Sequence, residues 1–405
     1  MNDLNQTPSG ERVRIAFLGR RNAGKSSLVN AIAGQPVSIV SAVPGTTADP
    51  VRKAMELLPL GPCLLVDTAG LDDDQAGIGA LRAGRAREEL RAADIAVVVT
   101  DGAAGFGPAE RALAEELRAA GVAFLVALNK ADATPAPPER VAEVAAASAA
   151  PTFAVSAATG EGVAALRDAI AATKLDEPAS QRLVGDRLAP GDVVVLVVPV
   201  DSAAPKGRLI LPQQQTIRDI LDAHATAVVA QVPQLAGVLA SLASPPKLVV
   251  TDSQVFAEVR AIVPRGVPLT SFSILFARYK GDYGALAAGA AAVDALPEGA
   301  RILVSEGCTH RRQCGDIGTQ KIPRWLEAYA KKSFVFETTS GRGWPASREE
   351  LARYALVVHC GGCMLSRREM RRRISDCAAA GVPIVNYGVL IAKLRGVDLA
   401  GPAVR

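Results

Sequence analysis

Three segments hold the residue types most able to do chemistry. One is the glycine-rich run Gly19-Arg20-Arg21-Asn22-Ala23-Gly24-Lys25-Ser26; the others, far downstream, are Cys308-Thr309-His310 and His359-Cys360-Gly361-Gly362-Cys363. The first is suited to phosphate. Its glycines let backbone N–H groups wrap the anion, Lys25 reaches the outer phosphate oxygens, and the Ser26 hydroxyl is a ligand for Mg2+. The downstream pair is suited to a metal, because thiols clustered in sequence in a reducing compartment read as ligands before disulfides. Histidine is scarce, and two of the three, His310 and His359, lie within two positions of a cysteine.

Further segments turn the phosphate site into one for guanine nucleotide. Asp67-Thr68-Ala69-Gly70 closes the next apolar run; Asp67 can hold the Mg2+ shell through water and the Gly70 N–H can sense a γ-phosphate. In Asn129-Lys130-Ala131-Asp132, the Asp132 carboxylate can accept hydrogen bonds from both guanine N1–H and the 2-amino group. Adenine offers no such pair, so GTP is selected over ATP. Ser156-Ala157-Ala158 fits a loop whose N–H groups cover guanine O6. Pro44-Gly45-Thr46-Thr47-Ala48-Asp49 reads as a mobile switch in which one threonine coordinates Mg2+, Thr47 by preference and Thr46 as the alternative. The nucleotide set is therefore Gly19, Asn22, Ala23, Gly24, Lys25, Ser26, Ser27, Thr46, Thr47, Asp67, Gly70, Asn129, Lys130, Asp132, Ser156, Ala157 and Ala158, with Lys25, Ser26, Thr47, Asp67 and Gly70 nearest the chemistry.

The metal set is Cys308, Cys360 and Cys363. Three thiolates are one short of the usual complement for a cubane cluster, which leaves one iron an exchangeable position for His310 or water. The same residues with His310 also make a Cys3His zinc site, and spacing alone does not separate zinc from iron–sulfur. Cys63, Cys314 and Cys377 have no assigned role. His359 precedes Cys360 on a strand, so its side chain points to the opposite face and reads as packing.

These residues need elements to place them. Residues 12–175 alternate apolar runs (Val13–Leu18, Cys63–Val66, Ile95–Thr100, Phe124–Leu128, Thr152–Val155) with helical stretches, the pattern of a parallel sheet covered on both faces. Residues 174–190 are polar and proline-bearing, and read as a linker. A short unit over 183–265 follows, with a strand over Asp192–Val200, a helix opened by Pro212, a strand at Leu248–Thr251 and a helix over Gln254–Ile262. Residues 268–405 alternate again, with strands expected at Ser271–Phe276, Arg301–Ser305, Ser333–Glu337, Ala355–His359 and Pro383–Asn386. The fold class is α/β throughout: a P-loop domain over 1–175, a small α/β middle domain, and a C-terminal domain with a parallel sheet. Cys308 and Cys360 each follow a strand, and ligands in open α/β sheets gather past the carboxyl ends of strands. On the same logic Arg278, Lys280 and Asp282 would follow the first of those strands. Arg367–Arg373 reads as a solvated helix face, or more sharply as a docking patch for an acidic partner.

Composition narrows the function classes. A net charge of +4 over 405 residues and an aromatic content of 4% weigh against RNA, which calls for a basic face and stacking platforms. No apolar stretch is long enough to span a membrane, and the N-terminus lacks a signal-peptide core, so a cytoplasmic protein is expected.

The P-loop, Gly45-Thr46-Thr47 and Asp67-Thr68-Ala69-Gly70-Leu71 resemble the Era and TrmE type of GTPase. Leu71 stands where Ras-type enzymes carry a water-positioning glutamine. The resemblance implies slow, K+-stimulated hydrolysis, with K+ held by Asn22. The whole arrangement, a G domain, a small middle unit containing Pro205-Lys206-Gly207-Arg208-Leu209-Ile210-Leu211-Pro212-Gln213, and a CxH…HCxxC unit with 48 residues between His310 and His359, resembles the FeFe-hydrogenase maturation GTPases. That family implies domains for GTP, dimerisation and cluster binding. It implies a [4Fe-4S] cluster on Cys308, Cys360 and Cys363, with His310 as candidate fourth ligand. It also implies a di-iron subcluster precursor received through radical-SAM maturases and passed to apo-FeFe-hydrogenase by a homodimer. The competing expectation is an RNA-linked Era/TrmE-like GTPase with a Cys3His zinc module.

Overall fold

Which loops meet is decided by which strands lie side by side. The computed structural model describes residues 9–34, 51–68, 70, 88–175, 182–199, 209–307, 316–341, 343–362 and 364–396, and the chain divides into two compact units, Met1–Glu177 and Pro178–Arg405.

In the first unit the described elements run β1 (Val13–Leu18), α1 (Lys25–Ala33), β2 (Val51–Leu57), β3 (Gly61–Asp67), β4 (Ile95–Asp101), α2 (Pro108–Ala119), β5 (Ala123–Asn129), α3 (Pro138–Ser148), β6 (Thr152–Ala154) and α4 (Val163–Ala171). The sheet order is β2-β3-β1-β4-β5-β6. Alternate residues of β1 enter different cores. Ile15 and Phe17 pack with Leu28 of α1 and Leu166 of α4, while Ala16 and Leu18 pack with Leu113 of α2 and Val144 of α3. A strand buried on both faces is apolar throughout, which is why these runs stand out in the sequence. One expectation is corrected: the sheet is not wholly parallel, because β2 pairs antiparallel with β3 at its edge. Most of β2 is exposed or half-buried (Arg52, Lys53, Glu56), so it lacks the apolar run that marks the central strands.

The second unit opens with β7 (Val193–Val197), α5 (Leu211–Asp222), β8 (Thr226–Ala230), α6 (Leu235–Ser241), β9 (Leu248–Thr251), α7 (Phe256–Ile262) and β10 (Leu269–Ser271). These strands form a parallel sheet in the order β10-β9-β7-β8. Next come α8 (Phe272–Lys280), α9 (Tyr283–Ala292), β11 (Arg301–Glu306), α10 (Ile322–Ala330), β12 (Val335–Ser340), α11 (Arg348–Leu351), β13 (Leu356–His359), α12 (Arg367–Ala379), β14 (Ile384–Asn386) and α13 (Tyr387–Leu394). Their parallel sheet is ordered β12-β11-β13-β14.

A second expectation is corrected here. Residues Ser271–Phe276 are not a strand; from Phe272 the chain is helix α8. Ser271 caps it, its Oγ accepting from the Ile274 N–H. The helix is apolar nearly all round because it serves two cores. Phe272, Leu275 and Phe276 pack on the first sheet of this unit, and Ile274 and Ala277 on the second. Such a run has no amphipathic period and reads as a buried strand. Arg278, Lys280 and Asp282 therefore do not trail a strand. Arg278 pairs with Asp186, and Asp282 caps α9 through the Ala285 N–H. Among the described residues no helix is long and apolar enough to cross a membrane.

Candidate functional site

The carboxyl ends of β1, β3, β4 and β5 put the nucleotide residues on one edge of the first sheet. The P-loop leaves β1 and turns into α1 at Gly24, which sits at φ 89° as the residue before the helix. A β-carbon there would lie 2.1 Å from Asn129 Nδ2, so both backbone conformation and space demand glycine. Lys25 is buried and folds back over the loop, donating to Gly19 O at 3.1 Å and Arg20 O at 2.7 Å. Asn22 is exposed, with φ 61°. Ser27 is exposed in the first turn of α1.

Ser26 Oγ donates to Asp67 Oδ2 at 2.5 Å, and Asp67 Oδ1 is buried without a hydrogen-bond partner. Burial pushes the Asp67 carboxyl up, against the Ser26 hydroxyl and the Lys25 charge. A hydroxyl beside a half-satisfied carboxylate suits a hard divalent cation, so these two residues fit Mg2+. Thr68, which the sequence reading left without a role, ties the β3 end to β1 through Oγ1 donating to Phe17 O at 2.6 Å. Gly70 is buried. Thr46 and Thr47 lie outside the described residues.

The base-recognition loops are joined by side chains. Asn129 Nδ2 donates to Ala23 O at 2.9 Å while its Oδ1 accepts from the Ala157 N–H at 3.1 Å. One buried amide thus links the P-loop to the Ser156 loop. Ser156 Oγ donates to Asp132 Oδ1 at 2.6 Å, leaving the exposed Asp132 oriented by a neighbour. Lys130 takes a left-handed backbone at φ 64° and donates from Nζ to Asp101 Oδ2 at 2.7 Å, which holds Asp101 below the usual carboxylate range. Ala158 is exposed beside this loop.

In the second unit β11 and β13 are direct neighbours, with Ser305 paired to His359 and the Cys360 N–H donating to Ser305 O at 2.9 Å. Cys360 therefore leaves the sheet beside the segment that leads into Cys308. Its Sγ accepts the Gly307 N–H at 3.1 Å and the Gly362 N–H at 3.4 Å. Both backbone N–H groups thus converge on one sulfur. A β-carbon at Gly307 would meet Leu365 at 2.8 Å, whereas one at Gly361 would meet nothing within 4 Å; the loops are close where they cross and open at the tip. Cys308, His310, Cys314 and Cys363 lie outside the described residues. Among the described residues no three metal-ligating side chains converge. What is described is one sulfur held by two backbone N–H groups where β11 and β13 end, beside the residue that precedes Cys308.

Behind this loop lies a network that spacing did not reveal. His359 is fully buried; Arg373 Nη1 donates to its Nε2 at 2.9 Å, so Nδ1–H donates to Cys360 O at 2.7 Å. Burial, reinforced by the Arg373 charge, pushes the His359 imidazole down to about 3. His359 is thus a neutral packing residue, held between Arg373 and the Cys360 carbonyl beside Trp344. Arg373 also pairs with Glu369 at 2.8 Å and stacks on Trp344. The Arg367–Arg373 run is therefore not a uniformly solvated face, since Arg373 is buried and Arg372 bridges Glu369 and Asp376. Cys63 and Cys377 are buried thiols that burial pushes up to about 11 and about 12, unlike reactive or ligating cysteines.

A phosphate-binding loop, a hydroxyl–carboxylate pair for Mg2+ and a base-reading loop define the first unit as the GTPase domain of a P-loop protein, and residues 14–130 match the family model for the 50S ribosome-binding GTPase. Residues 183–281 match the hydrogen maturase F dimerization domain and residues 284–399 the hydrogen maturase F tetramerization domain, together more than half the chain. The chain belongs to the hydrogen maturase F family of hydrogenase-maturation GTPases, with a G domain of the TrmE/Era kind. It is similar to the tRNA modification GTPase MnmE of Nitrosospira multiformis, 38% identical over 25% of this chain and 23% of that protein. It is also similar to the GTPase Der of Thermomicrobium roseum, 41% identical over 27% of this chain and 24% of that protein. The match thus spans about a quarter of the length of these curated relatives. Among solved structures, Aquifex aeolicus Era bound to GDP.AlF4- aligns at a TM-score of 0.34 and 18% identity, over 54% of this chain and 93% of that one.

Proposed function

We propose that this chain is a GTP-hydrolysing scaffold or carrier. It would bind a [4Fe-4S] cluster through Cys308, Cys360 and Cys363, and assemble or deliver a di-iron subcluster precursor to apo-FeFe-hydrogenase. The observation that carries the reading is the junction of β11 and β13, where the sulfur of Cys360 accepts the N–H of Gly307, the residue before Cys308. Two distant cysteine segments thus start from one sheet edge. When bound, the cluster supplies a redox-active anchor with one iron open to an exchangeable ligand, and His310 is the candidate for that position.

In the first unit, Lys25 would neutralise the outer phosphates, Ser26 and Thr47 would hold Mg2+ with Asp67 behind them, and the Gly70 N–H would report the γ-phosphate. Asp132 would read guanine, positioned by Ser156. Asn22 would hold K+ beside the phosphates, supplying charge in place of an arginine finger. The division of labour we propose is GTP over 1–175, dimerisation over 183–265 and cluster binding over 268–405, in a cytoplasmic homodimer that meets radical-SAM maturases as well as the hydrogenase. Ordering of the switches by GTP would set partner affinity.

The test is activation of apo-hydrogenase in vitro by protein produced together with the radical-SAM maturases. Hydrogen evolution should appear with the native chain and vanish with Cys360→Ala. Equal activation by the variant would remove Cys360 from the carrier site.

A further inference from the structure

The second residue of the phosphate loop is tied to a helix that carries no nucleotide motif. Arg20 Nη2 donates to Glu110 Oε2 at 3.0 Å, and its Nε lies 2.8 Å from Oε1, off the hydrogen-bond direction. Glu110 stands in the first turn of α2, where a negative charge is favoured. Its Oε2 also accepts the Gly107 N–H at 2.9 Å and so closes the start of that helix. A β-carbon at Gly107 would lie 2.8 Å from Arg20 Nη2; the guanidinium fills the space that a side chain there would need. The loop before α2 is itself held by the base-reading loop, since the Gly102 N–H donates to Asn129 O at 2.8 Å.

The backbone of Arg20 faces the chemistry. Its carbonyl accepts Lys25 Nζ at 2.7 Å and the Ala23 N–H at 3.4 Å. Where the Arg20 peptide sits therefore sets where the phosphate-binding ammonium sits. The two members of the pair are unequal: the Glu110 side chain is 2% exposed and that of Arg20 38%. Without its partner, Arg20 can turn to water, whereas Glu110 is left a buried charge, which is costly.

Resting on the assignment of Lys25 to the outer phosphates, we propose that Arg20 is a positioning residue of the GTP site and Glu110 its anchor. The pair sets the arch of the phosphate loop before nucleotide arrives, so that binding does not bear the ordering cost. It also ties that loop to the segment that supports base recognition. Glu110, covered from solvent, touches no nucleotide and acts through Arg20.

The experiment measures fluorescent GDP affinity, and melting by circular dichroism, on the full chain as wild type, Glu110→Gln, Arg20→Gln and the double variant. Glu110→Gln keeps an acceptor for the Gly107 N–H and removes the charge. It should melt near the wild type yet bind GDP about tenfold or more weakly, the lower end for losing a hydrogen bond to a charged group. Arg20→Gln should lose the same affinity and also melt lower, because it strands the buried carboxylate. In the double variant melting should recover while affinity stays at the single-variant level. If Glu110→Gln does not fold, Glu110→Asp, which draws the carboxylate back by one methylene, replaces it with the same expected loss. Native affinity in the Glu110 variant, affinity that recovers together with melting, or losses that add in the double variant would each overturn the proposal. A wild type that binds no guanine nucleotide would instead sink the assignment of Lys25.

Discussion

His359 offers a test that needs neither nucleotide nor metal. It is wholly buried, receives Arg373 Nη1 on Nε2 and donates from Nδ1 to Cys360 O. A proton on Nε2 would set two donors against each other beside a guanidinium, and burial opposes the charged imidazole, so its pKa is pushed from 6.5 to about 3. The unfolded chain therefore takes up this proton first. The stability due to neutral His359 is complete above the unfolded value and is lost as the pH falls from there toward the folded one. Each tenfold rise in proton concentration in that window costs about 1.4 kcal/mol, so about 2 kcal/mol should go between about pH 7 and about pH 5. Glu369 is buried too, but its arginine partners outweigh that burial and hold it below the usual carboxylate range. Its contribution is lost only under more acid conditions. The perturbation is His359→Gln, which cannot titrate. Urea unfolding at the two pH values can be followed by tryptophan fluorescence, because both tryptophans, Trp325 and Trp344, lie in the second unit. The wild type should lose about 2 kcal/mol more than the variant over this interval. Equal losses would refute the buried neutral imidazole.

Three further outcomes concern the first unit. Asp132→Asn removes a charged acceptor for guanine N1–H and the 2-amino group, and should weaken GTP by about 10- to 100-fold in a fluorescent-nucleotide competition assay, since hydrogen bonds to charged groups are worth roughly 1.5–3 kcal/mol. It should spare xanthosine triphosphate, whose 2-carbonyl matches the new amide. Gly24→Ala should abolish nucleotide binding by calorimetry while leaving the second unit intact, because its β-carbon would fall 2.1 Å from Asn129 Nδ2 in a left-handed backbone. GTP turnover should be faster in K+ than in Na+ buffer, and Asn22→Ala should remove the difference; equal native rates in the two salts would end that proposal.

The loops that begin at Gly19, Asp67 and Asn129 are readable because each follows a strand buried along most of its length and carries polar residues of fixed spacing. Asn129 was chosen for base recognition, but its bridge from Ala23 to Ala157 is a tertiary fact no motif carries. The carboxyl ends of β11 and β13 are legible for the same reason, whereas their pairing is long-range and leaves no mark in the sequence. Helix α8 reads as a strand because its two apolar faces serve two cores and erase the helical period, which sets Arg278, Lys280 and Asp282 past a strand end that the fold does not have. The capping Ser271 was the signal available. Strand β2 went unseen because an exposed edge needs few apolar residues. Arg373 was absorbed into a basic run, since sequence alone does not tell which arginine of a helix turns inward.

Iron, sulfide and zinc content of the anaerobically reconstituted full chain, read beside its EPR spectrum and those of Cys308→Ala, Cys360→Ala and Cys363→Ala, bears most directly on the proposed cluster site. The expected result is a brown native protein with four irons and four sulfides per chain, about the stoichiometry of one cubane, diminished in each variant. A colourless protein holding one equivalent of zinc, or an iron–sulfur signal indifferent to all three substitutions, would contradict it.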